Sequence, residues 1–341
     1  MGPAEKKSLN RLWMVFLAVI VLAGPLLKGG ETYFTAAGLR LLIICAGMFF
    51  FSRKIKPGKF SLSIPIGNRI LLALLLVLGA SLITTHYFFP TIYWYTIFLG
   101  CFLLFYLALN LMAGEKGGRL LQGLFWILLA SGLIQSGLGI GEYFFQGRMR
   151  AAGSFFNPAY YAGYLASLIS FPLAAAAFDL WPGISGWKKW ALRLGMALAA
   201  VIIFCGVLAS ASRVIIFLAL PLGLILVVRF RYLGAAVLVL AASALIFIPN
   251  PARDRIKNIN SDPYAWERVT IWKSSLKMVR HHPAGVGLGM YQYYYHRYMY
   301  PMGNVKIGRY GQEAWQSHNE ILNFAAESSV LAPLLGWDSW D

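Results

Sequence analysis

The stretch "YWYTIFLGCFLLFYLALNLM", Tyr93 to Met112, decides the fold class: twenty residues pass without one Asp, Glu, Lys or Arg. At 1.5 Å per residue a helix of that length covers the ~30 Å of a bilayer's hydrocarbon. The run is not alone. Comparable apolar segments fall near Leu12–Leu27, Tyr33–Phe51, Arg69–Thr85, Leu120–Phe145, Ala159–Leu180, Ala191–Ser210, Val214–Val228, Leu233–Pro249 and Asn319–Gly336. The spacing therefore predicts an all-α integral membrane protein with about ten transmembrane helices.

Composition agrees. The 341 residues are 59% hydrophobic and only 13% charged, with a mean hydropathy of +0.63. Soluble domains carry about 25% charged residues. Strands alternating polar and apolar residues are absent, which argues against a membrane barrel. Leu12–Leu27 follows a basic stretch in the manner of a signal peptide, but "PLLK", Pro25 to Lys28, offers no small-residue cleavage site, so a retained first helix is expected.

Short loops set the orientation. Lys6, Lys7, Arg11, Arg53, Lys54, Lys56, Lys59, Lys116, Arg119, Lys188, Lys189, Arg229 and Arg231 all fall on one side, which the positive-inside bias makes cytoplasmic, with the N-terminus there too. The opposite side receives a loop from Gln146 to Pro158 and one long loop, residues 250–318. That long loop is itself basic, with Arg253, Arg255, Arg268, Lys273, Arg280 and Arg309 among its cations. Long loops cross regardless of charge, and a basic outer surface suits an anionic partner. The formal net charge of +17 is spread over both faces, and nucleic acid is not expected outside the cell. The expected organisation is a single membrane domain over residues 1–341, in a bacterial plasma membrane.

Inside the long loop, Asp262 to His282 reads as an amphipathic helix lying on the membrane surface. Asp262 is a plausible N-cap, Pro263 fits the first helical position and Pro283 ends the pattern. Trp266, Val269, Trp272, Leu276 and Val279 recur at helical spacing, and Arg268 projects beside them. Gly285, Gly287 and Gly289 then permit backbone with φ > 0. His281 and His282 close the helix, where cations favour its C-terminal dipole. Arg40 is a charge inside the second helix with no visible partner: it either meets a phosphate or marks a helix that begins later. The three cysteines, Cys45, Cys101 and Cys205, lie inside predicted helices, so neither a disulfide framework nor a metal centre is expected.

Four segments carry a family resemblance: "RAAGSFFNPAYYAGYL" from Arg150, the Ser212–Arg213 pair, "ERVTIWKSSLKMVRHHPAGVGLGMY" from Glu267, and "SHNEILNFAAE" from Ser317. In order and spacing they resemble the O-antigen ligase and polymerase family of polytopic membrane glycosyltransferases. The resemblance implies transfer of a glycan from a polyprenyl diphosphate to an acceptor hydroxyl on a lipid or protein, at the outer face, with inversion and without metal or other cofactor. It implies that Arg213 and Arg268 hold the diphosphate and that His318 is the base. Arg150 would add a third cation, Asn157 and Asn319 would touch substrate, and Glu327 would pair with an arginine in the bundle. Against the family pattern the chain stops early: one or two closing helices after residue 336 would be missing. A polymerase of the same family, a small-anion transporter of the bicarbonate type and a non-catalytic scaffold are the competing readings.

The residue chemistry supports those roles independently. A departing diphosphate develops charge that guanidinium groups stabilise with permanent charge and bidentate geometry. An acceptor hydroxyl needs somewhere to send its proton, and a neutral imidazole with an ordinary pKa of ~6.5 is the common receiver.

Overall fold

The computed structural model describes residues 3–27, 33–56, 59–60, 68–113, 117–181, 183–212, 263–301 and 313–331, with scattered positions between 228 and 243. Helices dominate: α1 (Pro3–Leu26), α2 (Tyr33–Lys54), α3 (Asn68–Thr84), α4 (Phe88–Met112), α5 (Gly117–Phe145), α6 (Pro158–Ala177), α7 (Gly186–Ala209), α8 (Pro263–His281), α9 (Tyr291–Tyr298) and α10 (Glu320–Glu327). Two two-residue strands, β1 (Ile55–Lys56) and β2 (Lys59–Phe60), pair antiparallel after α2. Among the described residues five helices are long and apolar enough to cross a membrane: α2, α4, α5, α6 and α7. The protein is thus a helical membrane protein. The spans expected at Val214–Val228 and Leu233–Pro249 lie outside the described residues, as does Asp262; α10 is described only for eight residues of the span expected from Asn319.

The chain divides into two compact units. The first holds residues 1–39 and 114–258, and its core is the α5–α6–α7 layer: Leu129, Tyr161, Leu165, Ile169, Met196, Ile203 and Val207. Between membrane helices lipid is as apolar as leucine, so close van der Waals packing and small residues hold the layer together. Tyr161, fully buried, shows how. A Cβ on Gly139 would stand 2.1 Å from its hydroxyl oxygen, and one on Gly206 would stand 2.9 Å from it. Any larger residue at either site would expel the ring.

The second unit holds residues 40–113 and 259–341. Here the charge inside α2 finds its partner: the Arg40 guanidinium lies 3.8 Å from the Tyr93 ring centroid and donates from Nη1 to the Tyr93 carbonyl oxygen at 3.1 Å. A cation–π contact together with a hydrogen bond is how an intramembrane cation is tolerated. The three cysteines are free thiols on α2, α4 and α7.

Helix α8 runs almost as the sequence predicts, but the face it buries within the protein differs. Glu267, Ile271, Ser274, Ser275 and Met278 face inward, while Val269 and Leu276 of the expected apolar stripe are exposed. The inward serines are satisfied. The Ser275 and Tyr291 hydroxyls lie 2.6 Å apart, and the Ser274 hydroxyl oxygen accepts the Tyr300 N–H at 3.1 Å. Hydroxyls paired in this way let an apparently polar strip join a core. His281 closes α8 as expected, its Nδ1 2.8 Å from the Lys277 carbonyl oxygen.

Candidate active site at the start of α10

The glycine run is built as its sequence requires. Gly285, Gly287 and Gly289 have φ values of +84°, +107° and +73°. Added Cβ atoms would meet the Glu327 carbonyl oxygen at 2.5 Å, Thr85 Cβ at 2.6 Å and Trp94 Cδ1 at 2.0 Å respectively. The backbone therefore passes through a slot that no side chain shares. On one side it is stitched to the end of α10: the Val286 N–H donates to the Ala326 carbonyl at 2.9 Å and the Gly287 N–H to the Glu327 carbonyl at 2.8 Å. Glu327 completes the seam by accepting the Tyr291 N–H on Oε1 at 3.1 Å. Among the described residues no arginine pairs with Glu327. Its carboxyl oxygen satisfies a backbone donor at the α9 start.

At the other end of α10 stands His318, with a left-handed backbone at φ +54°. Non-glycine residues seldom adopt that region, and those that do cluster at functional sites. Its neighbours impose it. The Ser317 hydroxyl donates to the Asn319 carbonyl at 2.5 Å and accepts the Asn319 N–H at 3.2 Å. The Ser317 N–H in turn donates to Asn323 Oδ1 at 3.0 Å, and Ser317 is fully buried. Asn319 caps α10, its Oδ1 accepting the Leu322 N–H at 3.2 Å. The turn is thus braced twice from inside while His318 projects from it, exposed.

Partial enclosure first, and then the charge of Arg268, hold the His318 imidazole below its ordinary pKa. Two residues selected for different roles, from segments fifty residues apart, therefore meet in one electrostatic environment. The imidazole is kept neutral at physiological pH, the form that accepts a proton. Arg268 itself is exposed on α8.

The remaining expected residues distribute differently. Arg213 lies outside the described residues. Arg150 is exposed in the loop between α5 and α6. Asn157 closes that loop as the N-cap of α6, accepting the Ala159 N–H at 2.8 Å, with Pro158 in the first turn. Its side-chain oxygen, like that of Asn319, is committed to a helix start, as N-cap chemistry favours.

Three residues escaped the sequence reading. Ser317 and Asn323 shape the His318 turn, and the serine two positions before a capping asparagine was a usable signal. Glu142 lies near the end of a predicted span, where a lone acid points to function by default. Among the described residues no group of three or more His, Cys, Asp or Glu is placed to hold a metal ion.

Five helices long and apolar enough to cross a bilayer define a polytopic helical membrane protein. Residues 198–330 match the family model described as O-Antigen ligase, which supports membership of the O-antigen ligase family and a place in polysaccharide biosynthesis. The match includes Arg213, Arg268, His318, Asn319 and Glu327; Arg150 and Asn157 precede it. No curated protein and no solved structure matches the chain significantly.

Proposed function

We propose that the chain is a membrane glycosyltransferase of the O-antigen ligase type. It moves a glycan from a polyprenyl diphosphate carrier to an acceptor hydroxyl at the outer face of a bacterial plasma membrane. About ten spans in one membrane domain carry the site, and residues 250–318 lie outside. The observation that carries this reading is the strained, braced His318 sharing its electrostatic environment with Arg268.

The chemistry balances without a covalent enzyme intermediate. The acceptor O–H gives its proton to neutral His318 as its oxygen attacks the anomeric carbon. The bond from that carbon to the diphosphate oxygen breaks, the configuration inverts, and the electron pair leaves with the diphosphate. Arg268, Arg213 and Arg150 receive the developing charge. Arg268 has a second effect. Its cation discourages protonation of His318 until a diphosphate neutralises it, so the base gains strength when the donor is bound. Metal and nucleotide sugar have no part in this scheme, and a lipid or protein supplies the acceptor hydroxyl.

The test is transfer in proteoliposomes supplied with a polyprenyl-diphosphate oligosaccharide and candidate acceptors. The wild type should transfer glycan, and His318→Ala should lose on the order of 10²–10⁴ in rate, the usual worth of a positioned base. Transfer by His318→Ala at the wild-type rate would sink the mechanism. Products that lengthen by whole glycan units on the carrier, rather than appearing on a separate acceptor, would make the enzyme a polymerase of the same chemistry.

A further inference from the structure

Glu142 is 9% exposed at the end of α5, and its two carboxylate oxygens are both engaged by the loop that follows. Oε1 accepts Arg148 Nη1 at 2.9 Å. Oε2 accepts the backbone N–H groups of Ala152 at 2.8 Å and Gly153 at 3.1 Å. Consecutive N–H groups converging on one oxygen form a small anion-binding nest, here filled by the protein's own carboxylate. Gly153 has φ +57°, and a Cβ there would stand 2.8 Å from the Tyr161 ring and 3.0 Å from Gln135 Oε1. The next residue is locked as well: the Ser154 hydroxyl donates to the Pro25 carbonyl at 2.6 Å, and Gln135 Nε2 donates to the Ser154 hydroxyl oxygen at 2.7 Å.

One further bond joins this loop to a second one. The Ala151 N–H donates to the Ala209 carbonyl at 3.0 Å, tying the residue after Arg150 to the last residue of α7. There Ala211 turns left-handed at φ +50°, with the Ser210 hydroxyl oxygen accepting the Ser212 N–H at 3.1 Å. Arg213 follows directly in sequence. The loop that carries Arg150 is thus fastened to the end of α7, and the fastening rests on the backbone that Glu142 holds.

We propose that Glu142 is a positioning residue for the diphosphate: its buried carboxylate braces the loop that carries Arg150, a loop that the Ala151–Ala209 bond also ties to the end of α7. The inference rests on the reading that Arg150 binds the donor's diphosphate. Charge matters as well as shape. A carboxylate accepts on both oxygens, whereas the amide of glutamine must turn an NH₂ towards either Arg148 or the nest, where it opposes a donor. The Arg148 ion pair is the smaller part, because the Arg148 side chain is 56% exposed and exposed pairs contribute little.

Binding of glycan-free polyprenyl diphosphate to the full chain in nanodiscs tests this, alongside hydrogen exchange of the backbone amides. Glu142→Gln should weaken binding about tenfold or more, since small displacements of positioning groups are costly. It should also quicken exchange at residues 151–155 while leaving the amides of α5, α6 and α7 protected. Arg148→Ala should bind within about threefold of the wild type, and Arg150→Ala should weaken binding as Glu142→Gln does. Wild-type affinity in Glu142→Gln beside weak binding in Arg150→Ala would overturn the proposal alone. Wild-type affinity in Arg150→Ala would overturn the diphosphate reading of that arginine, and this proposal with it. Exchange that quickens throughout α5, α6 and α7 in Glu142→Gln would make Glu142 a fold element rather than a positioning one, and would equally overturn it.

Discussion

The Ser317 hydroxyl reaches across His318 to the Asn319 carbonyl oxygen at 2.5 Å, so the two neighbours of the proposed base are bonded to each other and the histidine between them is held at φ +54°. A base needs a fixed direction more than it needs many contacts, because proton transfer falls off steeply with misplacement. Strain concentrated at the residue that acts, and carried by two that do not, provides that direction.

Ser317→Ala removes an acceptor and a donor from this turn. It should cost about 0.5–2 kcal/mol of stability, the range for lost cap-type hydrogen bonds. Transfer should suffer in kcat more than in KM, because the imidazole loosens while donor contacts stay. Thermal unfolding in detergent and steady-state transfer check both parts; an unchanged kcat would show that the brace is structural only.

His318→Asn should fold like the wild type and transfer almost nothing, since asparagine tolerates the left-handed region but accepts no proton usefully at neutral pH. His318→Val should be inactive and in addition about 1–2 kcal/mol less stable, the cost of forcing a β-branched residue to that φ. Comparing the unfolding midpoints of the two inactive variants separates backbone strain from chemistry.

Burial and Arg268 lower the His318 pKa, so its neutral form persists further into acid than an ordinary histidine's. In the free protein the titration should therefore fall below ~6.5, and transfer should decline only as pH drops through that lowered value. Arg268→Gln removes the charge but not the burial, and should move the titration back towards 6.5 without fully reaching it. NMR of ring-labelled histidine, assigned with His318→Asn, reads this without turnover. Stability has the same sign: below ~6.5 the unfolded chain binds the proton more readily than the folded one, so this site's contribution is lost as pH falls.

Gly287→Ala places a methyl 2.6 Å from Thr85 Cβ on a backbone at φ +107°. Left-handed strain of about 1–2 kcal/mol and overpacking of about 1–3 kcal/mol should combine to some 2–5 kcal/mol of destabilisation. Gly163→Ala is the control. Nothing lies within 4 Å of its added Cβ on α6, and stability should hold or rise slightly, as helix propensity favours alanine. Equal midpoints for the two variants would contradict the slot described for the glycine run.

Asn157 separates two roles cleanly. As the cap of α6 it should be replaceable by serine with little loss, while Asn157→Ala should cost about 0.5–2 kcal/mol. A substrate contact through the amide would behave otherwise: Asn157→Ser would then raise the donor KM at unchanged stability.

The parts of this protein that were legible in its sequence are those governed by one-dimensional physics. A bilayer has a fixed thickness, so Phe88–Met112 or Gly186–Ala209 must be written as a long apolar run, and the spans predicted at Tyr33–Phe51, Arg69–Thr85, Tyr93–Met112, Leu120–Phe145, Ala159–Leu180 and Ala191–Ser210 each overlap a described helix. Pro263 and His281 bound α8 because proline suits a first turn and a terminal imidazole suits a last one. The face that α8 turns to the protein core was not legible, since two serines become good core residues once Tyr291 and Tyr300 satisfy them.

What no linear reading supplies is which polar group answers which. The partners of Glu142 are an arginine six residues on and two backbone N–H groups, and backbone donors are invisible in composition. Arg40 meets Tyr93 across fifty-three positions, and Glu327 serves the Tyr291 backbone. By itself the sequence determined a helical membrane protein and named a histidine and arginines as candidates, because hydrophobic length and permanent charge are properties of residue types. Only the tertiary structure decided that His318 is strained and shares its surroundings with Arg268, and that the Glu142 and Glu327 carboxyls accept backbone N–H groups, because directional bonds and electrostatic neighbours depend on where the folded backbone turns.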